Sequence, residues 1–168
     1  MKKVILIMLV AVLGVASANA QFEQGKKTLS ANATGLGLDF TKVKDVDDMQ
    51  IDFGFRAKGS YFVIDNLAVT AGLGFGYTKM GDFNSNAFNF EIGGRYYFYQ
   101  ALYGALAYEG SKAKDVDMES WGKLEVGYDF YITENVFFEP ALYFKKGFGD
   151  ATKDISCFGL SVGIGVNF

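Results

Sequence analysis

The chain has 168 residues, a formal net charge of −3, one cysteine and no histidine. The acidic balance argues against nucleic-acid binding, which needs a basic face. One cysteine excludes an internal disulfide and every multi-cysteine metal motif, and the missing histidine removes the usual base of Ser-His-Asp and Cys-His catalysis and most zinc sites.

The first twenty residues read as a secretory signal peptide. Lys2 and Lys3 form a basic start, Val4 to Ala16 is an apolar run, and Ala18-Asn19-Ala20 is a small-x-small cleavage pattern before Gln21. The run is short for a transmembrane helix, which needs about 20 residues. The expected organisation is therefore a signal peptide over residues 1–20 and one β-barrel domain over residues 21–168. Cleavage would remove Lys2 and Lys3 and leave a formal charge of −5. No later stretch is apolar enough for a spanning helix, so a mature chain that enters a membrane must do so as strands. There are 21 glycines and a single proline. The glycines lie within alternating apolar patterns, which is not the signature of a disordered linker.

After a polar lead-in at residues 21–27, expected to fray, a first strand runs from Thr28 to Phe40, with Leu36, Leu38 and Phe40 on one face. A charged loop follows. The second strand, Ile51 to Phe62, sets Ile51, Phe53, Phe55 and Tyr61 against Asp52, Arg56, Lys58 and Ser60. Asp65 and Asn66 supply turn chemistry. The third strand, Leu67 to Thr78, sets Leu67, Val69, Leu73, Phe75 and Tyr77 against Thr70 and three glycines. A polar loop is expected over residues 79–86. The fourth strand, Ala87 to Phe98, sets Phe88, Phe90, Ile92, Tyr96 and Phe98 against Asn89, Glu91, Arg95 and Tyr97. The fifth, Ala101 to Gly110, turns Leu102, Leu106 and Tyr108 outward, and a charged loop follows at residues 111–120.

The sixth strand, Trp121 to Tyr131, sets Leu124, Val126, Tyr128 and Phe130 against Lys123, Glu125, Asp129 and Tyr131. The seventh, Val136 to Lys145, sets Val136, Phe138, Leu142 and Phe144 against Phe137, Glu139, Ala141 and Tyr143. Pro140 cannot donate to a ladder, so a bulge or local break is expected there. The last strand alternates most cleanly, with Phe158, Leu160, Val162, Ile164, Val166 and Phe168 opposite glycine, serine and asparagine. Strict period two is the mark of a strand with one apolar face.

Eight strands, with short turns alternating with longer polar loops, fit an all-β, eight-stranded antiparallel up-and-down transmembrane barrel. Aromatic residues gather towards both ends of the strands, as in the two interfacial belts of a membrane barrel. Phe62 and Trp121 are counted among those belts. The alternative is a soluble lipocalin-like barrel, which would turn each apolar face inward.

The faces opposite the apolar ones carry Asp52, Arg56, Lys58, Glu91, Arg95, Lys123, Glu125, Asp129 and Glu139. An eight-stranded barrel is just wide enough for side chains to fill it, and buried charges must pair. These nine residues are expected to form a lumen charge network. General acid–base chemistry would need a substrate path that a filled lumen lacks. No catalytic residue, metal ligand or cofactor is expected.

The signal peptide, the eight alternating strands and the terminal Val162-Gly163-Ile164-Gly165-Val166-Asn167-Phe168 resemble the small outer-membrane β-barrel family, the OmpA/OmpX-like barrels. The resemblance implies an integral protein of the Gram-negative outer membrane, reached after signal-peptide cleavage. It implies periplasmic chaperones during transit, outer-membrane lipids around the barrel, and a barrel-assembly machinery that reads Val162, Ile164, Val166 and Phe168. It leaves three roles open: a non-enzymatic part in envelope integrity or surface interaction through extracellular loops, a narrow pore for ions or small solutes, and a lipid-modifying barrel enzyme, which the missing histidine disfavours.

Overall fold

The computed structural model describes residues 22–34, 40–42, 51–80, 83–113, 118–148 and 152–168. The expected signal peptide, the alternating Leu36 and Leu38, most of the acidic loop residues and the side chains of Phe40 and Asp52 lie outside the described residues.

Ten strand segments follow one another: β1 (Lys27–Thr34), β2 (Phe40–Lys42), β3 (Ile51–Ile64), β4 (Leu67–Met80), β5 (Phe83–Tyr99), β6 (Leu102–Ala113), β7 (Glu119–Tyr128), β8 (Phe130–Tyr131), β9 (Val136–Gly147) and β10 (Ser156–Asn167). They make eight barrel strands. β1 and β2 both pair with β10, and β7 and β8 both pair with β9. All pairings are antiparallel, and β1 joins β3 on one side and β10 on the other, which closes the sheet on itself. Closure leaves no free edge, the condition for backbone polar groups to survive in lipid.

The seam is pinned at its end by two backbone bonds. Lys27 N–H donates to the Phe168 carbonyl and Phe168 N–H to the Lys27 carbonyl, both at 3.0 Å. Two of the short turns hold a residue in the left-handed region, Asn66 at φ 64° and Gln100 at φ 47°. Each lies beside a register shift in its hairpin, between Phe62 and Ile64 and between Tyr97 and Tyr99. Asparagine tolerates that conformation; glutamine has no such allowance.

The interruption expected at Pro140 falls elsewhere. β9 runs unbroken through Pro140, which stays in register opposite Val162. The break appears in the facing strand, at Asp129 between β7 and β8. The register across it is kept: Gly127 opposes Ala141 before it and Phe130 opposes Phe138 after it. A missing ladder donor therefore costs local pairing without shifting a side chain to the wrong face.

The polar stretch 79–86 is not a loop of that length. β4 and β5 stay paired out to Met80 opposite Phe83, and β6 runs on to Ala113. Beyond the bilayer both faces of a hairpin meet water, so alternation fades while the ladder continues.

Outward residues are apolar and exposed along every long strand, among them Phe55, Leu73, Ile92, Leu106, Leu124, Leu142 and Ile164. Because the strands pair in continuous register, these residues fall into rows across the sheet. One row carries Tyr96, Gly104, Val126 and Leu142; the next carries Gly94, Leu106, Leu124 and Phe144. Inward residues are buried and mostly charged or polar. Two expected belt members depart from this scheme. Phe62 is fully buried in the lumen, and Trp121 shares the strand parity of Lys123 and Glu125, which are lumen residues. Tyr128, expected on the outer face, is also buried, with the Phe130 ring 4.5 Å away.

Candidate functional site

Among the described residues, charge is concentrated away from water in the lumen, which is filled in layers. Its floor, at the short-turn end, is aromatic. Phe22 is 2% exposed and stacks on Tyr97 at 4.0 Å between ring centres. Phe62 and Tyr131 close around it at 5.9 and 6.3 Å. The lead-in at residues 22–26 is therefore a docked strap and not a frayed end. Gly25 N–H donates to the Phe62 carbonyl, Asn66 N–H to the Phe22 carbonyl, and Gln24 N–H to Asp65 Oδ1. Burying a whole aromatic side chain offsets the entropy of ordering these few residues.

Above the floor lies the first charged layer. Tyr97 Oη donates to Asp129 Oδ2 at 2.7 Å. Arg95 meets Glu139 with both terminal nitrogens, NH1 to Oε2 at 2.6 Å and NH2 to Oε1 at 3.1 Å. The same guanidinium lies 3.7 Å from the centre of the Tyr103 ring, a cation–π contact strengthened by exclusion of water. Asn32 Nδ2 donates to Glu139 Oε1 at 2.9 Å, and Lys58 Nζ lies 3.3 Å from both Glu125 and Glu139.

The second charged layer is continuous with the first. Lys123 joins Glu125 at 2.6 Å and Glu91 at 2.9 Å. Arg56 joins Glu91 at 2.5 Å and Glu109 at 2.9 Å, and Lys145 completes the chain on Glu109 at 3.0 Å.

Ten side chains thus form one connected network, with five cations (Arg56, Lys58, Arg95, Lys123, Lys145) and five carboxylates (Glu91, Glu109, Glu125, Asp129, Glu139). The formal charges of these ten residues sum to zero. A buried ion repays its lost hydration only when partners surround it; here each cation but Lys145 touches at least two carboxylates. The space bounded by Lys58, Thr70, Glu91, Arg95, Lys123 and Glu125 leaves no room for a water-sized sphere.

Of the nine residues picked out from alternation, eight lie in this network, and the Asp52 side chain lies outside the described residues. Glu109 and Lys145 belong to the network and were not picked out. Both lie near the upper ends of their strands, and extending the alternation from Leu106 and Tyr108, or from Tyr143, would have found them. The second group singled out, Val162, Ile164, Val166 and Phe168, forms an outward apolar strip on β10 running to the chain's last residue. Phe168 is 65% exposed.

The apolar exterior and ionic interior reverse the arrangement of a water-soluble barrel, and lipid is the solvent that permits it. The fold defines a transmembrane β-barrel of the small eight-stranded class. No family model and no curated protein sequence matches the chain. Solved structures do. The attachment invasion locus protein Ail of Yersinia pestis is similar at 14% identity and TM-score 0.60, over 86% of this chain and 99% of that one. Neisserial surface protein A is similar at 14% identity and TM-score 0.61, over 86% and 98%. The outer membrane protein OprG of Pseudomonas aeruginosa is similar at 12% identity and TM-score 0.60, over 87% and 97%. At these identities the likeness establishes the fold.

Proposed function

We propose that this chain is an integral protein of the Gram-negative outer membrane that catalyses no reaction. It acts in envelope integrity or in surface interaction, through the loops at its long-connection end. The observation that carries this reading is the filled lumen. Among the described residues, the space between Lys58, Glu91, Arg95, Lys123 and Glu125 has no room for a water-sized sphere, which supports a lumen without a path for solute. The names of two structural neighbours, an attachment protein and a surface protein, support the surface role. In this reading residues 1–20 are removed on export, and periplasmic chaperones carry the chain across. The assembly machinery then recognises Val162, Ile164, Val166 and Phe168.

The experiment is conductance of the refolded protein in a planar lipid bilayer. A silent membrane, with a gel mobility that changes on boiling, is the expected result. Clear unitary currents would replace this reading with that of a narrow pore.

A further inference from the structure

Of the five carboxylates in the network, Asp129 is the one that no cation approaches closely. Glu91, Glu109, Glu125 and Glu139 each have a cationic nitrogen at 2.9 Å or closer. The nearest to Asp129 is Arg95 NH1, at 3.9 Å. Asp129 is 0% exposed, so bulk water does not make up the difference. Its Oδ2 accepts a hydrogen bond from Tyr97 Oη at 2.7 Å, and its Oδ1 is left without a donor.

Arg95 is already committed elsewhere. Its NH1 lies 2.6 Å from Glu139 Oε2 and 3.1 Å from Tyr97 Oη, and its NH2 lies 3.1 Å from Glu139 Oε1. One guanidinium nitrogen is therefore shared by two carboxylates and serves Glu139. The charged and titratable groups facing Asp129 are Arg95 and Tyr97 on β5, Tyr103 on β6, Tyr128 on β7, Tyr131 on β8 and Glu139 on β9. Arg95 is the single cation among these six. The next, Lys58 on β3, is held between Glu125 and Glu139 at 3.3 Å from each.

Two carboxylates against one guanidinium repel each other, and burial denies both the hydration that would offset the repulsion. A proton on Oδ1 removes the conflict and needs no space. It turns the orphaned acceptor into a donor, with the Glu139 carboxylate beside it to receive the bond. The place is also a joint in the fold. Asp129 separates β7 from β8, and the Tyr97 it holds carries the Phe22 ring of the strap at 4.0 Å.

We propose that Asp129 is a proton-binding site, held in the folded barrel at neutral pH as the neutral acid with its proton turned towards Glu139. Loss of that proton sets two carboxylates against one guanidinium directly above the aromatic floor. The short-turn end is therefore the pH-sensitive part of the barrel.

The test uses the full barrel refolded in an ester-free detergent. At neutral pH the wild type should show the infrared band of a neutral carboxylic acid, and Asp129→Asn should lack it. Tyr97→Phe removes the hydroxyl bonded to Oδ2 and should shift the band without abolishing it. Urea unfolding gives an independent reading. Between about pH 5 and pH 7 an unfolded aspartate is ionised, so folding of the wild type takes up one proton that folding of Asp129→Asn does not. The wild-type unfolding constant, relative to that of Asp129→Asn, should therefore rise about tenfold per pH unit across this window. Absence of the band from the wild type overturns the proposal, as does its survival in Asp129→Asn. Parallel pH profiles for the two chains overturn it as well. If Asp129→Asn does not refold, the wild-type band and Tyr97→Phe decide, because a band that Tyr97→Phe leaves unmoved belongs to another group.

Discussion

Arg95 on β5 and Glu139 on β9 face each other across the lumen in a two-pronged ion pair, at 2.6 and 3.1 Å, and both are almost wholly buried. Neither is paired with the other in the sheet, so their bond braces the barrel wall from inside. The geometry is the planar fork of guanidinium on carboxylate.

Truncating one partner leaves the other charge buried without compensation. Glu139→Ala is expected to lower stability by about 3–5 kcal/mol, because Arg95, Lys58 and Asn32 all lose an acceptor. The double substitution Arg95→Met/Glu139→Met should be less damaging than Glu139→Ala alone. Urea unfolding of the refolded protein in lipid vesicles measures both. A double variant as unstable as the single would show that the pair is not the main tie.

The floor makes a separate prediction. Phe22→Ala should cost about 3 kcal/mol, the lower end for emptying an aromatic site, because the strap can release once its anchor is gone. The same variant should remain electrically silent in a planar bilayer, since the charged layers above are untouched. A current in Phe22→Ala would mean that the aromatic floor, and not the ionic network, is the seal.

The assignment of faces is tested by placing charge in lipid. Leu73, in the middle of β4, is 59% exposed on the outer face. Leu73→Arg should destabilise the barrel in vesicles by about 2–4 kcal/mol if it lies near the midplane. Leu73→Phe should be nearly neutral. If arginine were tolerated as well as phenylalanine, the outer face would not be solvated by lipid.

Gln100 offers a gain. Its φ of 47° is a conformation that costs a side-chain-bearing residue about 1–2 kcal/mol. Gln100→Gly should raise stability by about 1 kcal/mol after glycine's extra unfolded-state entropy is subtracted. Asn66→Ala, at the second residue of the Asp65–Asn66 turn, where φ is also positive, should lower it. Both shifts are read from urea midpoints at unchanged slope.

Alternation made most of this architecture legible. Arg56, Lys58, Glu91, Arg95, Lys123, Glu125, Asp129 and Glu139 are recognisable because each alternates with apolar or glycine positions along its strand. What alternation could not show was set by contacts across the sheet. Phe22 precedes the first strand, so no pattern surrounds it, and its burial depends on the rings of Tyr97 and Phe62 meeting below it. Height along the strand puts Phe62 in a belt, whereas its parity with Lys58 and Ser60 points inward, where it is buried. The strand ends beyond residue 78 read as loop because charged and amide side chains suit both faces of a hairpin in water.

The seam between β1 and β10 also governs time. Lys27 is among the first residues of the barrel to leave the ribosome and Phe168 is the last, yet they are bonded to each other. Asn32 likewise waits for Glu139, 107 positions later. Strand pairing can begin earlier, but closure cannot precede the appearance of β10, and pairing so remote in sequence is slow. Until that moment the edges of the sheet and the lumen charges have only solvent or a protecting protein to satisfy them. The barrel therefore closes only once β10 is available, and a loss of β10 residues should be felt at β1.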